Sequence, residues 1–210
     1  LITLRIDAHE PDPHGIEQAA RIIRDGGVVA MPTDTLYGLA ADPFNTAAVA
    51  RIFAIKRRGA ERALPLVAAD VDQIAAAFGP LPPLARLLAT RFWPGPLTLL
   101  VPASGGLAPD VTGGTGRVGV RVPAHAVTRA LCRAAAVPLT ATSANVSGRP
   151  ATADPDSVAA ALGDAADMLL DAGKTAGGPP STIVDVTEPA PRVIRAGAIP
   201  WETIQRCLGL

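Results

Sequence analysis

Lysine, cysteine, histidine and aromatic residues are all scarce in this chain, and neither sign of charge is in excess. Two cysteines, Cys132 and Cys207, cannot form a disulfide framework and lack the paired spacing of a metal site. Three histidines, His9, His14 and His125, are too scattered for a histidine-rich metal centre. Nineteen basic residues balance nineteen acidic ones. A protein that grips nucleic acid through a broad basic surface needs a cationic surplus, so that class is disfavoured; a local basic cavity for a small anion is not. Aromatics at 3% leave few platforms for stacking bases. No apolar run reaches the ~18 residues of a membrane span, so no membrane association is expected. Residues 1–15, LITLRIDAHEPDPHG, lack the cationic start and apolar middle of a secretory signal, and a cytoplasmic location follows as the expectation.

What is present suits a folded enzyme-sized unit. With 210 residues, 49% of them hydrophobic, the chain can cover one core, and a single domain over 1–210 is expected. Only Lys56 and Lys174 among the basic residues are lysine, which makes those two stand out.

Strand-like and helix-like stretches alternate along the whole length. ITLRI (2–6), the continuous apolar run VVAM (28–31), LPLVAA (64–69), LTLLVP (97–102) and RVGVRV (117–122) read as strands. So do PLTAT (138–142), DMLLD (167–171), STIVDV (181–186) and RVIR (192–195). Asp12-Pro13 and Asn45 start helices, and Gly26-Gly27 stop one. Further helices are expected near 70–78, 81–91, 125–135, 154–162 and 200–208. Several strands follow one another without an intervening helix, which predicts an α/β (α+β) fold with one main mixed sheet.

Four segments combine polar side chains with backbone-shaping residues. PTDTLYGLAAD (32–42) follows a buried strand and presents Thr33, Asp34 and Thr35 at its carboxyl end; a capped turn and a ligand site suit it equally. Lys56 of IFAIKRR (52–58) shares a helix face with Val49 and Ile52, so it either snorkels to an edge or points into a cavity. Arg121 sits mid-strand in RVGVRVPAH (117–125) with Arg117 and Gly119 on its side, and a buried guanidinium needs an anionic partner, an Asp of this chain or a ligand. His125 reads as a helix-start residue in preference to a catalytic one. LTATSANVSGRPA (139–151) places small hydroxylated residues after a strand, suited to close approach by a ligand or to an ordinary turn. Gly173-Lys174-Thr175 imitates the end of a P-loop, but the required earlier glycine is Met168.

Taken in order, GGVVAMPTDTLYGLAAD, the K-x-R of Lys56 and Arg58, RFWPGPLTLLVP (91–102), VRVPAH (120–125), TSANVSG (142–148), STIVDV and the RAG of Arg195–Gly197 resemble the YrdC-type threonylcarbamoyl-AMP synthase family. The resemblance implies a twisted mixed sheet flanked by helices around a deep central cavity. It implies a nucleotidyltransferase that condenses L-threonine, bicarbonate and ATP into threonylcarbamoyl-AMP and pyrophosphate, with Mg²⁺ accompanying ATP. It implies a downstream tRNA threonylcarbamoyl transferase complex as partner, and possible weak tRNA binding. The chain ends soon after RAG, as the short form of the family does.

Carried over by motif, Thr33, Arg121, Ala141 and Ser181 fall on the threonine side. Lys56, Arg58, Ser143, Asn145 and Arg195 fall on the ATP side, Lys56 and Arg58 being the catalytic pair. Arg117 stands where some members have an ATP-contacting Thr, and Leu64 and Ala69 stand where some have Asn and His, contacts that water or Arg62 would replace. Two other readings compete: a non-catalytic RNA-binding module with a basic concavity, and a carbamoyltransferase related to hydrogenase maturation.

Overall fold

The computed structural model describes residues 1–59, 62–103 and 105–210. Its elements follow the punctuation of the sequence. They are β1 (Ile2–Arg5), α1 (Pro13–Arg24), β2 (Val29–Met31), β3 (Gly38–Ala40), α2 (Thr46–Lys56), β4 (Leu66–Val67), α3 (Val71–Phe78), α4 (Pro83–Phe92) and β5 (Leu97–Pro102). Then come β6 (Arg117–Arg121), α5 (Ala126–Ala135), β7 (Leu139–Thr140), β8 (Thr142–Ser143), α6 (Pro155–Leu162), β9 (Met168–Asp171), β10 (Thr182–Asp185), β11 (Arg192–Arg195) and α7 (Trp201–Leu208). Short acceptor side chains cap the helices where the sequence placed them. Asp12 accepts from Gly15 N–H at 2.8 Å, and Asn45 from Ala48 N–H at 3.1 Å. His125 occupies the N-cap position of α5 without a side-chain capping bond, as a helix-start residue.

The single main sheet expected from the sequence is in fact two. One has the order β1-β9-β2-β3-β8, the other β11-β10-β5-β6-β4-β7. Both are mixed: β1, β9 and β2 run parallel while β3 and β8 are antiparallel additions. In the second sheet β5 pairs antiparallel with β6 and β10 antiparallel with β11, as the helix-free connections predict.

The division falls inside the stretch 138–142, which reads as one strand. Leu139 and Thr140 pair with β4, and Ala141 then donates its N–H to Pro65 O at 2.8 Å. Thr142 and Ser143 pair with β3 instead. The chain therefore crosses from one sheet to the other at a single small residue. β3 itself went unread in the sequence, because three residues are too few for a period-2 signal.

The core lies in two clusters on either side of the first sheet. In β2, Val29 and Met31 join one cluster with Ala19, Ile23 and Leu131, while Ala30 joins the other with Leu39, Ile52, Leu99 and Val120. Alternate residues of one strand thus face opposite layers, and a strand covered on both sides has to be apolar throughout. The second cluster continues beneath the second sheet, and the sheets hold a polar cavity between their ends.

Candidate active site

The backbone at the end of β2 sets the first wall. After Pro32, the Thr33 hydroxyl donates to Leu36 O at 2.7 Å and accepts the Thr35 N–H at 3.2 Å, folding residues 33–36 into a tight bend. Tyr37 then turns inward and is almost fully buried. Its hydroxyl donates to Gly173 O at 2.7 Å, and burial pushes its pKa up to about 12. Asp34 leaves the bend in the other direction. Its Oδ1 lies 3.2 Å from Arg121 Nη1, and its Oδ2 accepts the Ala124 N–H at 3.2 Å.

The K-x-R segment ends α2. Arg57 adopts left-handed geometry with φ of 49°, a conformation that costs a non-glycine residue about 1 kcal/mol. Lys56, the last residue of α2, points inward on the face of Val49 and Ile52, and beyond the reversal at Arg57 the chain brings Arg58 onto the cavity wall. Lys56 is 2% exposed, and its ammonium donates to Ser143 O at 2.6 Å, Asn145 O at 2.9 Å, Asn145 Oδ1 at 3.0 Å and Ser143 Oγ at 3.3 Å. All four acceptors are neutral. Burial, and secondarily the Arg58 charge, lower its pKa to about 8. Lys56 therefore neither snorkels to an edge nor opens on the cavity: it points inward, into a cage of the protein's own oxygens. Arg58 lies with its guanidinium carbon 5.5 Å from the Phe53 ring centroid, and its Nη2 donates to Arg62 O at 3.2 Å.

The second sheet brings the remaining groups. Arg121, expected mid-strand, is the last residue of β6, and it is buried as expected, at 6% exposed. Desolvation lowers its pKa and the Asp34 charge opposes that shift. Although Arg121 Nη1 and Asp34 Oδ1 are close enough for an ion pair, neither makes a well-aligned hydrogen bond, so the contact is chiefly one of charge. Ser181 Oγ lies 2.8 Å from Thr98 Oγ1. Arg195 folds back over it, donating from Nη2 to Ser181 O at 2.8 Å and to Ser181 Oγ at 3.1 Å. Arg195 is exposed as a residue, yet the partial desolvation of its guanidinium there, with the Arg121 charge nearby, lowers its pKa. Gly197 explains the rest of the RAG motif. A Cβ at that position would stand 2.2 Å from Pro180 O and 2.6 Å from the Ser181 carbonyl carbon, so only glycine lets the segment after β11 lie this close to the segment before β10.

These segments converge on one cavity of about 500 Å³, lined by Thr33, Arg58, Arg121, Ala141, Ser143, Ser181 and Arg195 among others. Its volume is in the range of small-molecule sites. Lys56 and Asn145 are not on its surface; they stand behind Ser143. Thr35, which the sequence offered beside Thr33, lines it as well; so do Thr98 and Tyr37, which carried no separate signal, since their roles depend on partners far along the chain. Arg117 points elsewhere and pairs with the buried Asp185 at 2.5 Å. Leu64 and Ala69 are core residues in the two clusters and do not reach the cavity. A broader, more open hollow of about 560 Å³ is lined by Arg5, Asp7, Asp154, Asp156, Asp171 and Lys174 among others. It gathers none of the motif residues, and its mixed charge does not favour an anion.

The family model Sua5/YciO/YrdC, described as telomere recombination, matches residues 21–197. A threonylcarbamoyl-AMP synthase of Pyrococcus abyssi is 40% identical over 194 residues, covering 92% of this chain and 57% of that protein. One of Bacillus subtilis is 37% identical over 209 residues, covering 99% of this chain and 60% of its own length. The chain therefore spans somewhat less than two thirds of these two relatives. The crystal structure of P. abyssi Sua5 complexed with L-threonine superposes with a TM-score of 0.94 at 37% identity, covering 100% of this chain and 61% of that one. With its cavity assembled from the same motifs that the family model spans, the chain belongs to the Sua5/YciO/YrdC family.

Proposed function

We propose that this chain is an L-threonylcarbamoyladenylate synthase, joining L-threonine, bicarbonate and ATP with release of pyrophosphate. One observation carries the reading: three guanidinium groups, Arg58, Arg121 and Arg195, and the hydroxyls of Thr33, Ser143 and Ser181 face one cavity from six separate stretches of chain. The names of the relatives, and the threonine bound to the P. abyssi structure, support it.

The chemistry suits such a cavity. Threonine's amine and bicarbonate give a carbamate and water. A carbamate oxygen then attacks the α-phosphorus of ATP, and the bond to pyrophosphate breaks. Every reacting species is anionic, so the task of the protein is to gather them, screen their repulsion and hold them in line. In this reading Arg121 offers its fork to the threonine carboxylate, with Thr33, Ala141 and Ser181 around the amino acid. The Ala141 N–H is already spent on Pro65, so its carbonyl is the free group. Arg58 and Arg195 face the phosphates, with Ser143 on the nucleotide side. Lys56 can reach a phosphate only by giving up its four oxygens; in the arrangement observed it acts on the nucleotide through the Ser143–Asn145 turn. The described residues hold no group of three or more His, Cys, Asp or Glu side chains able to cage a metal. Mg²⁺ would enter as part of the ATP substrate, its oxygen ligands being phosphates and water. The labile product would pass to a transferase that modifies tRNA.

The test is direct. The purified chain, given Mg·ATP, L-threonine and bicarbonate, is expected to form threonylcarbamoyl-AMP and pyrophosphate only when all three substrates are present. Absence of the adenylate from folded protein overturns the reading.

A further inference from the structure

We infer that Asp34 is a positioning residue for substrate binding: it holds the Arg121 guanidinium as a counter-charge at its buried Nη1, so that the rest of the guanidinium, on the cavity lining, is set to take the carboxylate of the amino acid. The inference rests on the function proposed above and assigns a role to a residue outside the cavity lining.

Arg121 is nearly buried, and a buried guanidinium without an anion is strongly disfavoured. Asp34 is the carboxylate beside it, at 3.2 Å, and its own side chain is only 10% exposed. The pair is close but skewed, since neither Asp34 Oδ1 nor Arg121 Nη1 makes an aligned hydrogen bond. An aligned, two-pronged pairing would have consumed the fork that a ligand carboxylate needs. Asp34 is kept from rotating into such a pairing because its other oxygen is tied to the Ala124 N–H at 3.2 Å, in the loop that follows Arg121. One aspartate from the bend after β2 thus grips both the strand-end arginine and the backbone three residues beyond it. It links the first sheet to the second across the cavity edge.

Two effects of Asp34 on a bound carboxylate oppose each other. Its charge repels the ligand, and its hold on Arg121 orients the fork. A carboxylate taken by the cavity side of the guanidinium lies beyond the arginine from Asp34, so orientation dominates.

Calorimetric titration of the full chain with L-threonine, and separately with a non-hydrolysable ATP analogue, tests this. Asp34→Glu keeps the charge and moves it, and should weaken threonine binding at least fivefold. Asp34→Asn should weaken it at least tenfold. Both should leave the analogue's affinity within twofold. In an Arg121→Gln background, where only the repulsion remains, Asp34→Asn should not weaken threonine further. Threonine affinity within twofold of the parent or tighter in both variants, a parallel loss for both ligands, or further weakening in the Arg121→Gln background would each overturn the inference. If Asp34→Asn does not fold, Asp34→Glu and the Arg121→Gln pair decide. A parent chain that binds threonine yet makes no adenylate sinks the proposed activity and leaves this inference standing. One that binds no threonine sinks both.

Discussion

From the first-sheet side the cavity receives hydroxyls and backbone, at Thr33, Thr35, Thr142 and Ser143; from the second sheet it receives the guanidiniums of Arg121 and Arg195 and the Thr98–Ser181 hydroxyl pair. The contrast extends to the two buried cations. Lys56, attached to the first side, has four oxygens around its ammonium, all from Ser143 and Asn145. Arg121, on the second, has one skewed carboxylate and an Nη1 without an aligned acceptor. Lys56 is a saturated cation and Arg121 is not: two buried charges of the same sign differ in the number of acceptors already around them.

The largest expected effect comes from removing the saturated cation. Lys56→Met leaves several buried oxygens without a donor and should cost about 3 kcal/mol, lowering the melting temperature by about 6–12 °C in a chain of this size. Thermal unfolding followed by circular dichroism checks it, and an unchanged melting temperature would erase the contrast drawn here. The pH dependence sharpens it. The folded pKa of about 8 lies below the ordinary 10.5 of lysine, so below pH 8 the folded state bears the full cost of the buried charge. Between those values the unfolded chain holds one more proton, and the stability contributed by this site should rise by about 1.4 kcal/mol per pH unit. The Met variant should lack that rise.

A smaller effect is expected on the second wall. In Gly197→Ala the new methyl meets Pro180 O and the Ser181 backbone, and something must shift. A loss of about 2 kcal/mol in stability is expected, with weaker threonine binding because Ser181 and the Arg195 fork move together. Urea denaturation and threonine titration read the two parts; normal threonine binding would detach RAG from the site.

The smallest effect belongs to Arg117→Gln. Arg117 shares β6 with Arg121 yet pairs with Asp185, which keeps Arg192 and Thr187 as partners. Stability should fall by about 1 kcal/mol, and the affinities for threonine and the ATP analogue should stay within twofold. A larger binding loss would make Arg117 part of the cationic wall.

Legibility in the sequence followed the range of the interactions. The helix starts at Asp12 and Asn45, the doubly covered strand at 28–31 and the hairpin-like pairing of 97–102 with 117–122 rest on neighbouring residues, and they were readable. The place of Arg121 within the strand stretch 117–122 even pointed to its burial. β3 and the change of sheet at Ala141 were not readable, because each pairing is chosen by strands distant in sequence. Arg121 and Arg117 illustrate the limit within one strand. Both looked alike on the alternation pattern, and only their partners at Asp34 and Asp185 separated them.

By itself, the amino-acid sequence determined the local elements, the residues on their inner faces and the set of motifs that a family shares, because caps, periodicity and turn chemistry act over a few residues. Only the tertiary structure decided that Lys56 spends its charge on oxygens 87 and 89 residues away while Arg121 meets a single skewed carboxylate. The physical reason is that periodicity states which way a side chain points, and sheet topology alone states what it meets there.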